Sequence, residues 1–316
     1  MGSDILQPAL VIAILVLTVR ICTPILFAAL GELVVEHAGV LNLGIEGSML
    51  MGAFVGFLGS YETGSLWYGV AVAMLSGALM GLAMAFLASS LKVNQAVAGV
   101  SLNLLATGLS FYWYRLSVRS VLTDSLPTIP VFNFISIPFL SYIPYIGEIL
   151  FSHQLLTYLA YILVPVIWFF LYKTKRGLEL RCCGENPRAV DMRGVNVTLV
   201  QYAAVIFGGM MAGIGGGYLT LASSGLFLNG ISGGRGWLAL VVVIAGNWKP
   251  ARVLLVALLF GLFEAFQTQV QAIGVQFPYQ ILLALPYVLA IVALISSSRL
   301  RAQAPLSLGV PYSRVE

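Results

Sequence analysis

Glu32, Glu36, His37, Asn42 and Glu46 fall within fifteen positions, flanked on both sides by apolar sequence. Charges in such surroundings are costly in hydrocarbon unless they pair or face a cavity, so Gly31 to Leu50 reads as a broken helix lining a polar path. Gly39, Gly44 and Gly47 supply the backbone freedom for the break. An ordinary cytosolic turn with solvated acids is the other account of the same residues. If the helix restarts after the break, Asn42 and Glu46, four apart, share one face. Two further polar stripes lie within apolar segments. Asn103, Thr107 and Ser110, and likewise Glu264, Gln267 and Gln271, recur every three to four residues, so each set lines one helix face. Either stripe could face a shared pathway or serve as interhelical hydrogen-bonding glue, and the ionisable Glu264 favours the pathway. The loop around Asn229, Ser232 and Arg235 is a second candidate helix break.

Hydrolytic chemistry is not encoded. The chain has no HExxH pair and no acid pair in a glycosidase context, so no catalytic residue is assigned. Ile231 to Arg235, ISGGR, looks like the signature peptide of nucleotide-binding cassettes. No GxxxxGK phosphate loop accompanies it, and a count of crossings puts it on the outer side, so this chain is expected to hydrolyse no ATP itself. His37 and His153 lack a second ligand at useful spacing and read as satisfied or interfacial, so no metal is expected. Cys182 and Cys183 are adjacent and Cys22 lies in a span, which gives neither a disulfide framework nor CxxC spacing. No cofactor is expected in this chain.

These residues need a scaffold, and composition defines it. With 316 residues, 59% of them hydrophobic and 9% charged, and a mean hydropathy of +0.97, the chain cannot hide its apolar surface in one water-soluble core. The expected fold is all-α, a single polytopic membrane bundle over residues 1–316 with about 8 to 10 apolar segments. They lie at 5–22, 24–38, 44–60, 66–91, 95–114, 154–172, 200–223, 236–248, 251–273 and 278–298. Two are near 15 residues or shorter, below the roughly 20 needed to cross, so discontinuous or re-entrant helices are expected. MGSDILQPAL has no basic n-region, and the apolar run ends without a small-residue cleavage site, so no cleaved signal peptide is expected. The net charge of +4 comes from basic residues beside apolar segments, without interleaved aromatics, so no nucleic-acid partner is expected.

Orientation follows from the stretch Lys173 to Val197. Six basic residues fall between Lys173 and Arg193, against three acids, which assigns the loop 173–199 to the cytosol. Inside it Asn186 is placed to cap a helix, Pro187 sits at its first position and Gly194 follows as a left-handed stop. Such a capped helix between long apolar segments is a rigid lever suited to docking another protein. Counting outward from it puts the Lys249-Pro250-Arg252 turn, Lys92, Arg299 and Arg301 on the cytosolic side, and 115–152 outside. Two readings stay open for the N-terminus: cytosolic if 24–60 is a re-entrant pair, external if the chain crosses twice through a cytosolic turn near 38–43. The external segment, with four prolines between Thr123 and Tyr145, reads equally as an interfacial cap or as a docking surface. Gly52, Gly56, Gly77, Gly81, Gly208, Gly209, Gly213 and Gly215 to Gly217 read as sites of close helix packing in lipid.

Five ordered motifs carry a resemblance. VLNLGIEGSMLMGAF (40–54), NQAVAGVSLNLLATGL (94–109), GENPRAVDMRGVNV (184–197), GRGWLALVVVIAGNWKP (234–250) and LPYVLAIVAL (285–294) are similar to successive signatures of one family. That family is the permease subunits of ABC importers for nucleosides and related compounds, within the larger group serving simple sugars and branched-chain amino acids. The departures are Cys182-Cys183, where small residues such as alanine are frequent, and Ile244-Ala245, where a pair containing Phe is frequent.

The resemblance implies a multi-pass protein of the bacterial inner membrane whose partners are two cytosolic ABC ATPase subunits, a second permease in a heterodimer, an external substrate-binding protein and membrane lipid. ATP is used by the partner subunits. The coupling helix would fall at Glu185 to Arg193, with Gly184, Glu185, Asn186, Pro187, Arg188, Asp191 and Arg193 at the ATPase contact. The path residues would be Asn42, Glu46, Asn103, Thr107, Asn229, Glu264, Gln267 and Gln271. Their chemistry suits a neutral polar solute. The resemblance favours a nucleoside, with riboflavin, a free purine base and a monosaccharide as rivals. Two readings of other classes are a proton-coupled secondary carrier using Glu32, Glu36, Glu46 and Glu264, and a membrane scaffold.

Overall fold

The structure, a computed structural model, describes residues 8–118, 127–137, 145–272, 288, 291–292, 295 and 304–313. The expected segment 278–298 and Arg299 and Arg301 lie almost wholly outside the described residues. Helix α1 runs Pro8–His37, α2 Ile45–Thr63, α3 Leu66–Ala85 with a π-helical turn at Phe86–Ser90, and α4 Gln95–Val118. After β1 (Phe134–Ser136), α5 (Ile146–Phe151) and β2 (Ser152–Gln154) come α6 (Leu155–Lys173), α7 (Lys175–Glu185) and α8 (Pro187–Asp191). Then follow α9 (Val197–Tyr218), prolonged by a π-helical turn at Leu219–Ser224, α10 (Arg235–Ala245) and α11 (Pro250–Ala272). Six of the described helices are long and apolar enough to cross a membrane. The all-α expectation holds, with one small addition: β1 and β2 pair antiparallel in a three-residue ribbon, Phe134 opposite Gln154.

The expected break between 22 and 24 is absent. Pro24 sits inside α1, which continues for 30 residues. In apolar surroundings a full break would strand several backbone groups, whereas one proline forfeits a single bond. The break comes instead at 38–44, where Gly39 takes φ +84°. This turn lies at the island end, because Gly184 approaches Gly39 and the carbonyl of His37. The 30-residue α1 therefore starts at the end opposite the island. Lys92 lies beside Asp191 and Asn196, and Lys249 beside Arg181 and Glu185, so both markers share the island end as counted. The segment 127–137 is at the other end, where Ile129 N donates to Gly225 O (2.8 Å) and Phe132 N to Leu221 O (3.0 Å). It packs as a cap on the bundle.

Helix α9 is the central post, and its glycines explain why. A Cβ on Gly213 would lie 2.3 Å from the Ala73 carbonyl oxygen, and one on Gly216 would lie 1.8 Å from that of Met49. Backbone cannot yield as a side-chain tip can, so α2 and α3 reach α9 only because these positions lack side chains. Gly216→Val is expected to cost about 3 kcal/mol or more. Detergent size-exclusion chromatography of a fluorescent fusion checks this, with the monodisperse peak expected to be lost.

The island departs from the expected single helix at 185–193. Thr174 Oγ1 accepts from Gly177 N (3.0 Å) and starts α7, which absorbs Gly184 and Glu185. The lever α8 is then only 187–191, capped as expected by Asn186 Oδ1 accepting from Ala189 N (3.2 Å), with Pro187 first and Gly194 at φ +82°. Thr174 is the overlooked start signal, since a hydroxyl before a run of helix formers is an N-cap.

Candidate functional site

Between the π-helical turn after α9 and the start of α10, the chain folds back into the bundle. Phe227 anchors the outer limb of this loop in an aromatic cluster, its ring 5.4 Å from Phe54 and 5.1 Å from Tyr114. Gly230, Gly233 and Gly234, all at positive φ, turn the loop downward and then into α10. That helix has 11 residues, so its N-terminus stands about 16 Å above the inner turn, near the middle of a hydrocarbon layer of about 30 Å. It is a half-helix with its donors pointing into the bundle. Gly234 N donates to Glu46 Oε1 (2.9 Å) and Gly236 N to Glu46 Oε2 (2.7 Å). A carboxylate spanning two orphan donors at the positive end of a helix suits both the hydrogen bonds and the dipole. The contact is close enough that a Cβ on Gly236 would sit 2.6 Å from the Glu46 Cα.

Arg235, between those two donors, turns its side chain to α11 and forms a salt bridge with Glu264. Its Nη1 also donates to the carbonyls of Ile231 and Ser232 (3.4 Å each). The two side chains are 23% and 24% exposed, so neither is sealed in the core. Asn103 on α4 fixes the start of α2. Its Nδ2 donates to Leu43 O and its Oδ1 accepts from Gly47 N, both at 2.7 Å. Glu46, Asn103, Arg235 and Glu264 thus converge from four helices at mid-depth.

The remaining path candidates are arranged around this group. Asn42 is buried, its Oδ1 accepting from Gly44 N (3.0 Å), so its side chain builds the turn. Thr107 lies one turn beyond Asn103 and bonds its carbonyl (2.8 Å). Asn229 is exposed on the re-entrant loop. Gln267 and Gln271 continue the Glu264 face of α11 outward. No hydrogen bond among the described residues joins these last three to the central four.

The polar segment 31–50, expected as a broken helix lining a polar path, breaks at 38–44 and divides its acids in two. Glu32 and Glu36 are fully buried and serve as latches: Glu32 Oε1 accepts from Asn42 N (3.1 Å), and Glu36 Oε2 accepts from Trp248 Nε1. His37 Nε2 meets Trp248 O at 3.1 Å. These contacts tie the inner end of α1 to the turn between α10 and α11. The ISGGR peptide is also corrected, from an outer loop to one reaching mid-depth. Arg235 is the site residue that the path assignment missed. The readable signal was an arginine directly after a glycine pair between apolar segments, with an acid 29 positions later on a polar helix face.

At the inner end, Glu185, Asn186, Arg188 and Arg193 are exposed and Pro187 is half-buried. Gly184 is buried against α1, where a Cβ would lie 2.4 Å from the His37 carbonyl oxygen. Asp191 accepts from Tyr312 Oη (2.9 Å). Cys183 is buried, and desolvation pushes its thiol up to about 11, so it is a packing residue and not a reactive one.

A bundle of apolar crossing helices with a half-helix beginning at mid-depth, its terminus facing ionisable side chains, is the architecture of a membrane solute permease. The family of branched-chain amino acid transport system permease components matches residues 14–295, and the chain belongs to it. A putative glucose ABC transporter permease protein of Haloferax volcanii, TsgC13, is 39% identical over 81% of this chain and 77% of its own. The nucleoside ABC transporter permease protein NupC of Lactococcus lactis is 33% identical over 92% and 93%, and the guanosine ABC transporter permease protein NupQ of Bacillus subtilis 35% over 93% and 94%. No solved structure matches the chain. The protein is a multi-pass ABC transporter permease subunit, a transport component.

Proposed function

We propose that this chain forms half of the passage for a nucleoside in an ATP-driven importer of the bacterial inner membrane, paired with a second permease. Cytosolic ATPase subunits bind at α8, an external binding protein delivers the solute, and ATP is consumed by the ATPases. Glu46, Asn103, Arg235 and Glu264 line the passage, with Thr107, Asn229, Gln267 and Gln271 above them and Asn42 behind. Near-complete alignment with two relatives named for nucleosides supports the substrate class. The relative named for glucose, at higher identity over a shorter span, keeps a sugar as the second reading.

The observation that carries the mechanism is the placement of α10 as a strut. Its inner end is joined through Trp248 to Glu36 and His37, against whose carbonyl the end of α7 packs, and its other end carries Gly234 and Gly236 on Glu46. Displacement of α7 and α8 by the ATPases moves α1 and the strut together and so alters the mid-depth site. The permease is biased between outward-open and inward-open states by the difference in contacts at that inner face. Pro187→Gly removes the rigidity of the helix start, and Arg188→Ala removes an exposed contact. Each is expected to reduce uptake at least 10-fold while the amount of permease in the membrane stays constant, read by radiolabelled uptake beside immunoblotting. Normal uptake in both would refute the coupling role.

A further inference from the structure

Residues 304–313 return to the island and strap it down. Ser307 N donates to Gly184 O (2.8 Å), Ser307 Oγ to Glu185 O (3.2 Å), and Gly309 N to Gly39 O (3.2 Å). Tyr312 reaches Asp191 on α8 and packs beside Cys183, Val190 and Val197. One short segment therefore touches α7, α8 and the α1–α2 turn at once. Its own apolar side chains divide sharply. Leu308 packs onto the main core, whereas Leu306 is 82% exposed and Val310 59%. Met192, at the end of α8, is 89% exposed.

Single exposed apolar residues are ordinary, but these stand in the most charged part of the molecule and line built grooves. Leu306 and Val310 border a cavity of about 280 Å³ shared with Asn186, Pro187 and Arg188 of the α8 start. Leu306 also borders a second cavity of about 690 Å³ whose walls include Arg181, Trp248 and Lys249. The leucine is thus the ridge between two grooves on the inner face. The exposed Glu185, Arg188 and Arg193 beside them mark this face as hydrated and not lipid-facing.

We propose that the strap 304–313 is the second half of the surface on which the ATPase subunit docks, with Leu306 and Val310 as its apolar contacts. The proposal rests on the reading of α8 as the coupling helix, since the strap groove is continuous with that helix. A docked ATPase fills both grooves and grips the strap and α8 together. Because the strap is also bonded to the Gly39 carbonyl, the grip extends directly to the α1–α2 turn.

The test compares assembled transporters carrying Leu306→Asp with Val310→Asp, or Arg188→Glu, for the amount of ATPase that co-purifies with the permease. Both are expected to lose at least 10-fold. Loss in Arg188→Glu alone overturns the strap proposal and leaves the coupling reading standing; retention in both removes the two together. Loss in the strap variant alone overturns the surface shared with α8, since the strap would then dock the ATPase without that helix. If the double variant does not reach the membrane, Leu306→Cys in a Cys182→Ser background is probed with a thiol reagent. Protection that requires the ATPase supports docking. Protection without the ATPase, by lipid or the second permease, or full labelling in its presence, overturns it.

Discussion

Glu46→Ala is expected to reduce uptake at least 10-fold and to destabilise the permease by about 2–4 kcal/mol, the cost of two backbone donors left without partners in a half-buried site. Both donors, Gly234 N and Gly236 N, end on this carboxylate, and no other described side chain takes their place. The helix dipole adds to the loss, since the positive end of α10 would face a methyl group in place of a carboxylate. Glu46→Gln keeps one acceptor oxygen and forfeits the charge, so its stability should fall between alanine and wild type. Thermal unfolding in detergent measures the stability and proteoliposome uptake the function. Wild-type melting of Glu46→Ala would mean that the half-helix is not held there.

Arg235→Ala has the next largest expected effect. It leaves Glu264 as a lone carboxylate at mid-depth. Breaking a buried pair costs about 3–5 kcal/mol, and the partial exposure of both groups lowers that to about 2–3 kcal/mol. Arg235→Met combined with Glu264→Leu separates structure from function. Replacing both charges with apolar groups of similar size is expected to restore the melting temperature, while uptake stays at least 10-fold down because the solute loses its polar partners. Recovery of uptake along with stability would make the pair a structural brace only.

How much of this was legible in the sequence depends on what each residue's neighbours could reveal. The cap at Asn186, the start at Pro187 and the stop at Gly194 are local chemistry, and they stand as read. The glycine packing positions were legible because close helix approach demands small residues at helical spacing, whatever the partner. The fate of the acids was not. Glu32, Glu36 and Glu46 look alike in sequence, yet two are latches and one caps a half-helix, because the donors that decide this come from residues about 200 positions away, apart from Asn42. The depth of Arg235 was equally hidden: a count of crossings treats a loop as lying outside, and only the three positive-φ glycines let it fold inward. Pro24 misled in the other direction, since a helix breaker in water is tolerated where breaking would strand more groups than it spares.

The central claim is ATP-driven passage of a nucleoside, and the most direct measurement is uptake by proteoliposomes holding this chain with its permease, ATPase and binding-protein partners. The account predicts that nucleoside accumulation requires enclosed ATP, survives a protonophore, is competed by excess unlabelled nucleoside and not by glucose, and is lost in Pro187→Gly. Accumulation that persists without the ATPase and collapses with the proton gradient would contradict it.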